Sequence, residues 1–127
     1  MAIDRAEKIF RALSDRTRLR ILNLLREGEM CVGDLVEVLQ VPQPTASRHL
    51  AYLRRFDLVE VRKNGQWAFY SLASDPASIH NRILHLIAPQ LDDDTEFAVD
   101  HERAAILRKE GGCCPGEDRD CSGPGCC

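Results

Sequence analysis

The arrangement of apolar residues changes at Asp57, and this change limits the folds that the chain can adopt. Before it, apolar residues recur every three or four positions in residues 32–39 and 46–53, as they do in amphipathic helices. Between these segments Pro42 disfavours helix in the residue before it, which predicts a tight turn. Pro44 suits the first position of the second helix, where its missing N–H has no partner to lose.

A β-hairpin is predicted directly after the second of these helices. Residues 58–62 and 66–72 are rich in β-branched and aromatic residues, and Asn64-Gly65 between them is a strong signal for a hairpin turn. Two helices joined by a short turn and followed by a hairpin form a winged helix-turn-helix. The sequence therefore predicts this unit over residues 31–72.

Helices are also predicted on both sides of this unit. They comprise a segment with Ile3, Ala6, Phe10 and Leu13 at helical spacing, one that Ser14 or Asp15 caps and Gly28 ends, one over residues 76–88 that ends near Pro89, and one over residues 94–109. We therefore expect a mainly α fold with one β-hairpin.

Charge divides the chain near residue 91. Residues 1–91 hold 13 Lys and Arg against 10 Asp and Glu, whereas residues 92–127 hold 4 against 10. The first part can meet phosphates and forms one domain, and the second is an acidic C-terminal extension with a cysteine-rich tail. No apolar run reaches the roughly 20 residues of a membrane span, and the charged N-terminus is unlike a signal peptide. We expect a cytoplasmic protein without a membrane partner.

The second helix of the pair carries small polar and basic side chains on its outward N-terminal part. Such a helix enters the major groove of DNA N-terminus first, where Gln and Arg read base edges and Ser or His suits phosphates. The candidate DNA-binding residues are Gln43, Thr45, Ser47, Arg48 and His49 on the helix and Arg62 and Lys63 on the hairpin. Any amphipathic helix pair has polar residues outside, but the basic hairpin that follows favours DNA binding.

Three motifs in this order resemble the ArsR/SmtB family of winged-helix repressors. Residues 12–22 (ALSDRTRLRIL) look like the opening signature of that family, and residues 43–50 (QPTASRHL) followed by Leu53-Arg54 look like its recognition helix. Leu58-Val59 and the Asn64-Gly65 wing follow in register. The resemblance covers about residues 3–88. One departure is Pro42, where a capping Ser is common.

The resemblance implies a homodimer that pairs through the first and last helices of the domain. It also implies that the dimer binds an inverted repeat in double-stranded DNA and is released by an inducer. Residues 1–91 are then the DNA-binding and dimerisation domain.

The inducer site that arsenic-sensing members carry on the third helix is incomplete in this chain. Those members have a Cys-Val-Cys-Asp-Leu-Cys run, whereas residues 31–36 read CVGDLV. Cys31 alone does not build a site with three thiolates, and a single cysteine is more often a small buried apolar residue than a ligand. Some family members carry an arsenic site at the C-terminus, with a vicinal cysteine pair and a third cysteine.

Five cysteines crowd the last 15 residues of the chain, namely Cys113, Cys114, Cys121, Cys126 and Cys127. Exposed thiols in such number are oxidation liabilities, which favours a functional role. Trivalent arsenic and antimony are soft and take three thiolates, so we expect As(III) or Sb(III) as inducer at Cys113, Cys114 and Cys121, with the last pair auxiliary.

Zinc or cadmium competes for the same thiolates but prefers four ligands, and vicinal thiols also support redox sensing. A zinc site on the last dimer helix is not favoured, because His80 and His85 are five residues apart and point to different faces. No Gly-rich phosphate loop, nucleophile elbow or paired-carboxylate site is visible, so we do not expect an enzyme.

Overall fold

The computed structural model describes residues 3–73, 75 and 78–111 as a winged helix-turn-helix, which confirms the predicted fold class. Its elements in this range are α1 (Ile3–Leu13), α2 (Arg16–Leu25), β1 (Met30–Cys31), α3 (Val32–Leu39), α4 (Gln43–Arg55), β2 (Val59–Asn64), β3 (Trp67–Leu72), α5 (Ile79–Asp92) and α6 (Thr95–Glu110). None of these helices is both long and apolar enough to cross a membrane.

Helix α2 lies at the centre of the core. Asp15 caps it by accepting a hydrogen bond from the Arg18 N–H at 3.0 Å, so the cap is Asp15 rather than Ser14. Ile21 and Leu22 of α2 are almost fully buried and belong to the same apolar cluster as Leu35 of α3 and Leu50 of α4. This cluster fixes α3 and α4, the two helices of the helix-turn-helix, against α2.

The wing is the β2–β3 hairpin, and its turn lies one residue later than predicted. Asn64 pairs with Trp67, so the two turn residues are Gly65 and Gln66. Gly65 has a φ of 63°, which suits the first position of a turn whose twist matches the strands. The two-residue strand β1 adds to β3 and completes a three-stranded antiparallel sheet in the order β1-β3-β2.

Two proline predictions were wrong in detail. Helix α4 begins at Gln43, so Pro44 occupies its second position rather than its first. Helix α5 does not end near Pro89 but continues through it to Asp92. Ala88 is buried and Leu91 packs against the core on either side of Pro89. This apolar burial offsets the hydrogen bond that a proline inside a helix removes.

Helix α6 lies within the range assigned to the acidic extension, and it packs against α2 and α3. Asp100 of α6 is only 1% exposed, and both of its carboxylate oxygens accept hydrogen bonds at 2.8 Å from the Arg20 guanidinium of α2. Arg20 also donates to the carbonyl oxygen of Leu39 at 3.1 Å. One buried ion pair therefore joins α2, the last residue of α3, and α6.

We expect Asp100→Ala to lower the free energy of unfolding by about 3–5 kcal/mol, because it leaves the Arg20 charge buried without a counter-charge. Urea denaturation measures this loss. Glu102→Ala removes an exposed carboxylate from the same helix and should stay within about 0.5 kcal/mol of the wild type. The double variant Arg20→Met/Asp100→Leu should recover much of the loss, since two apolar side chains leave no buried charge. A loss below about 1 kcal/mol in Asp100→Ala would contradict the assignment.

Candidate nucleic-acid interface

The turn between α3 and α4 is held by backbone geometry. Gln40 adopts a left-handed conformation with a φ of 57°, and its N–H donates to the carbonyl oxygen of Val36 at 2.9 Å, which ends α3. Pro42 is the N-cap of α4 and makes no side-chain capping bond, as its departure from the family pattern predicted. The N–H groups of Thr45 and Ala46 donate to the Pro42 carbonyl oxygen at 3.0 and 3.1 Å and start the helix.

One face of α4 is buried, and the opposite face carries its positive charge. Ala46, Leu50 and Leu53 point into the core. With about 100° per residue, Arg48 and Arg55 lie opposite this buried face, and both are exposed. The exposed positive face of α4 therefore extends along the whole helix, beyond the N-terminal part singled out from the sequence.

The five candidate residues on α4 are not equally accessible. Gln43, Ser47 and Arg48 are exposed, whereas Thr45 and His49 are half-buried. The exposed three lie near the N-terminal end of the helix, where a recognition helix reaches base edges and phosphates.

His49 is held by residues at the start of α2. Its Nδ1 lies 3.5 Å from the Arg18 guanidinium, and that guanidinium stacks over the Tyr52 ring with its carbon 4.3 Å from the ring centroid. Arg18 also donates to the carbonyl oxygens of Ala12 and Arg11 at 2.9 Å. The arginine therefore fixes the flank of α4 to the α1–α2 junction. Sequence reasoning missed this role, because the contacts join residues about 30 positions apart.

Burial lowers the pKa of His49 below its ordinary value of 6.5. The Asp15 carboxylate acts in the opposite direction, and the charges of Arg18 and Arg48 add to the lowering. For Asp15 itself, burial acts to raise the pKa, but the Arg18 hydrogen bond and the charges of Arg18 and His49 outweigh burial and lower it below 3.8. His49 is therefore neutral and Asp15 charged near pH 7.

The two basic residues of the wing differ in their contacts. Arg62 forms a two-pronged ion pair with Glu29, at 2.7 and 3.2 Å, and lies over the Phe69 ring. Lys63 is exposed and, being adjacent in a strand, points to the opposite face of the hairpin. The Glu29 pair is half-exposed, and such pairs contribute about 1 kcal/mol or less, so phosphate can compete for Arg62. Sequence reasoning did not identify Glu29.

Cys31 is 1% exposed and caps the start of α3, where its sulfur accepts a hydrogen bond from the Asp34 N–H at 3.5 Å. Cys31 is disulfide-bonded. The predicted inducer ligands, Cys113, Cys114, Cys121, Cys126 and Cys127, all lie outside the described residues. Cys31 is therefore buried, as predicted, and in addition it caps α3 and forms a disulfide bond.

The last turn of α6 lies beside the loop that leads to Cys31. Arg108 pairs with Glu27 at 3.0 Å and donates to the Leu24 carbonyl oxygen at 3.4 Å. A Cβ added to Gly28 would lie 4.0 Å from the same guanidinium. The last described turn of α6 therefore lies close to the loop that leads to Cys31.

No group of three metal-binding side chains occurs within residues 3–73, 75 and 78–111. His80 is buried, and its Nε2 lies 3.2 Å from the Ser78 hydroxyl, whereas His85 is exposed. As predicted, the two histidines face different surroundings.

A helix pair with an exposed basic face, followed by a basic wing, defines a DNA-binding transcriptional regulator rather than an enzyme. Residues 15–61 match the model of the family described as bacterial regulatory protein, arsR family. A transcriptional regulator of Methanocaldococcus jannaschii is 47% identical over 73 residues, which cover 57% of this chain and 82% of the relative. The chain belongs to the ArsR family.

Two further relatives are named for resistance to toxic elements. The arsenical resistance operon repressor of Escherichia coli is 49% identical over 67 residues, covering 52% of this chain and 57% of the repressor. A cadmium resistance regulatory protein homologue of Staphylococcus aureus is 42% identical over 66 residues, covering 51% of this chain and 54% of that protein. The chain thus matches little more than half the length of either relative.

Solved structures agree with the fold. HlyU from Vibrio cholerae superposes with a TM-score of 0.63 at 34% identity, covering 68% of this chain and 91% of HlyU. A homodimeric winged helix-turn-helix domain from Mycobacterium bovis gives a TM-score of 0.62 at 30% identity, covering 72% of this chain and 82% of that domain.

We expect acidification to destabilise the fold in two ranges. Below pH 6.5 the unfolded chain protonates His49 before the folded protein does, so the free energy of unfolding falls. Below pH 3.8 the contribution of Asp15 is lost in addition. Urea denaturation between pH 7.5 and 5 should show a shallower fall in His49→Gln than in the wild type. Equal slopes in the two proteins would show that His49 is not held as described.

Proposed function

We propose that the chain is a homodimeric transcriptional repressor that leaves its operator when As(III) or Sb(III) binds its C-terminal thiolates. The DNA-binding part of this proposal is supported by the exposed basic face of α4. In the proposed complex Gln43 and Arg48 contact base edges, and Thr45, Ser47 and His49 contact base edges or phosphates. Arg62 and Lys63 of the wing contact the DNA backbone.

The homodimer is supported by apolar side chains that the monomer leaves in water. Phe10 of α1 is 58% exposed, Ile3 seven residues earlier is 80% exposed, and Leu86 of α5 is 76% exposed. Ile3 and Phe10 lie on the same side of α1 because seven residues make nearly two turns. A second copy of the chain covers these side chains and places two recognition helices one DNA turn apart.

We expect the double variant Phe10→Asp/Leu86→Asp to be monomeric and to lose about 100-fold or more in operator affinity, because one protomer engages one half-site. Sedimentation and operator titration measure the two effects. Ile106→Asp places one such acidic charge on an exposed apolar position of α6 and should leave the dimer intact. A double variant that dimerises over the same concentration range as the wild type would contradict the assigned dimer surface.

The inducer part of the proposal rests on where the cysteine-rich segment begins. Arg108 in the last turn of α6 contacts Glu27, four residues before Cys31, and related arsenic sensors carry their ligands on the helix that starts after Cys31. We propose Cys113, Cys114 and Cys121 as the ligands. Arsenite, As(OH)₃, exchanges its three hydroxyl groups for three thiols and releases three waters, without a change of oxidation state.

Inducer and DNA must oppose each other to the same extent. If arsenite weakens operator binding about 100-fold, operator weakens arsenite binding about 100-fold, a coupling of about 2.7 kcal/mol. The element that joins the two sites is α6, which contacts the end of α3 through Arg20 and Asp100 and precedes the cysteines directly.

The test is release of the operator complex by arsenite in the presence of a thiol reductant. We expect the wild type to release DNA, and Cys113→Ser and Cys121→Ser to require at least tenfold more arsenite, because two thiolates hold the ion less tightly than three. Cys31→Ser should respond as the wild type does. Normal release in Cys113→Ser and Cys121→Ser would refute the site. Parallel titrations with zinc and cadmium test the alternative that a fourth cysteine completes a tetrahedral site.

A thiol-redox sensor is the second candidate, favoured by the disulfide at Cys31. HlyU of Vibrio cholerae is also known in a structure described as reduced. In this mode two thiols lose two protons and two electrons to peroxide, which becomes water, and a disulfide forms. Peroxide without reductant should then release DNA from the wild type but not from Cys31→Ser. The two candidates therefore differ in which cysteine substitution abolishes the response.

A further inference from the structure

The basic side chains of the described residues fall into two groups according to their partners. Most arginines on α2 and α6 have carboxylate partners, as Arg16 has with Asp94 and Arg108 has with Glu27. On α1, α4 and the wing, no described carboxylate forms an ion pair within 4 Å with the following cations, namely Arg5, Lys8, Arg48, Arg54, Arg55 and Lys63. The side of the molecule that carries α4 therefore has a positive charge that the protein itself does not neutralise.

Two of these cations meet at one aromatic ring. The Lys8 ammonium of α1 lies 5.8 Å from the centroid of Phe56, and the Arg55 guanidinium carbon at the end of α4 lies 5.5 Å from it. Glu7, next to Lys8, pairs with Arg11, and no ion pair joins Asp57 to either cation. A contact between one exposed cation and a ring contributes about 0.5–1 kcal/mol, but bringing two like charges to the same ring adds repulsion. Anions that bind these two cations reduce that repulsion.

Arg55 continues the outward face of α4. It lies seven residues after Arg48, which places it about 10.5 Å further along the helix and about 20° around it. Lys8 extends the same positive surface from α1. It lies two residues from Phe10, about 200° around α1, so a second copy of the chain that covers Phe10 leaves Lys8 exposed.

We propose that Lys8 and Arg55 form a phosphate-binding site for the DNA backbone, outside the region in which α4 reads bases. The proposal rests on DNA binding by α4. In some helix-turn-helix proteins the C-terminal end of the recognition helix contacts the backbone in this way. Such contacts position the protein on the duplex, strengthen binding to any sequence, and carry no base preference.

The test is the salt dependence of DNA affinity in Lys8→Ala and Arg55→Ala, with Lys109→Ala as control. Lys109 is an exposed lysine at the end of α6, away from α4, so its removal changes the net charge equally. The probes are the tightest duplex that the wild type selects from a random-sequence pool and a scrambled duplex of equal length. Binding is measured between 50 and 200 mM salt without any inducer.

We expect the slope of log affinity against log salt to become shallower by about 1.8 for the dimer in Lys8→Ala and in Arg55→Ala, since each variant leaves one DNA phosphate per protomer without its protein cation and each lost contact changes the slope by about 0.9. These two variants should lose affinity equally for both duplexes. Arg48→Ala, in contrast, should lose more affinity for the selected duplex than for the scrambled one. Lys8→Arg and Arg55→Lys keep the charge and should restore the wild-type slope. Thermal unfolding checks that all variants are folded.

Slopes in Lys8→Ala and Arg55→Ala that equal that of Lys109→Ala would overturn the proposal, as would a fall in affinity confined to the selected duplex. These titrations contain no arsenite, and the cysteines stay unchanged in every variant. The result for the phosphate site is therefore independent of the result for the proposed inducer site, so either proposal can be refuted without the other.

Discussion

The buried ion pair between Arg20 and Asp100 joins α2, α3 and α6 beside the turn that precedes α4. A carboxylate this deeply buried is stable only with a partner, and Arg20 supplies two hydrogen bonds to it and a third to the Leu39 carbonyl. Arg103 adds a direct hydrogen bond between α6 and α3, since its guanidinium donates to the Val38 carbonyl oxygen at 3.2 Å. The end of α3, which leads into the turn before α4, is therefore fixed by contacts with α2 and α6.

The proposed regulation, like the stability of the fold, depends on α6. The helix begins beside Arg16, ends beside Glu27, and so runs along α2 in the same direction. Its first half contacts the residues that set the turn of the helix-turn-helix, and its last half leads into the cysteines. A displacement of α6 would be transmitted to Leu39 through Asp100 and Arg20. The proposed mutual weakening of inducer and DNA binding requires such a physical connection between the two sites.

The sequence predicted the order of elements because each has a local cause. Helical spacing, the Asp15 cap, the Pro42 turn and the glycine at position 65 all act within a few residues. The predictions were wrong where distant packing decides, as at Pro89, which α5 accommodates because Ala88 is buried and Leu91 packs against the core. Strand β1 has two residues, too few for any periodicity.

The candidate site was predictable in part for the same reason. The exposed residues Gln43, Ser47 and Arg48 follow from the helical pattern, whereas the contacts of Arg18 with His49 and of Glu29 with Arg62 join segments about 30 residues apart. Helix α6 shows a further limit. Its buried stripe includes Asp100 between Phe97 and Ala104, so a carboxylate occupies a core position that apolar patterning does not reveal.

The start of α4 has an electrostatic consequence. The peptide dipoles of a helix sum to a partial positive charge at its N-terminus, and most helices place an acidic or hydroxyl side chain there. Pro42 offers no side-chain cap, and the first turn of α4 carries no acid, whereas α6 has Asp94 and Glu96 at its start. The partial charge at the tip of α4 is thus left for solvent or for a DNA phosphate. The proline that departs from the family pattern leaves the recognition helix with an unneutralised positive end.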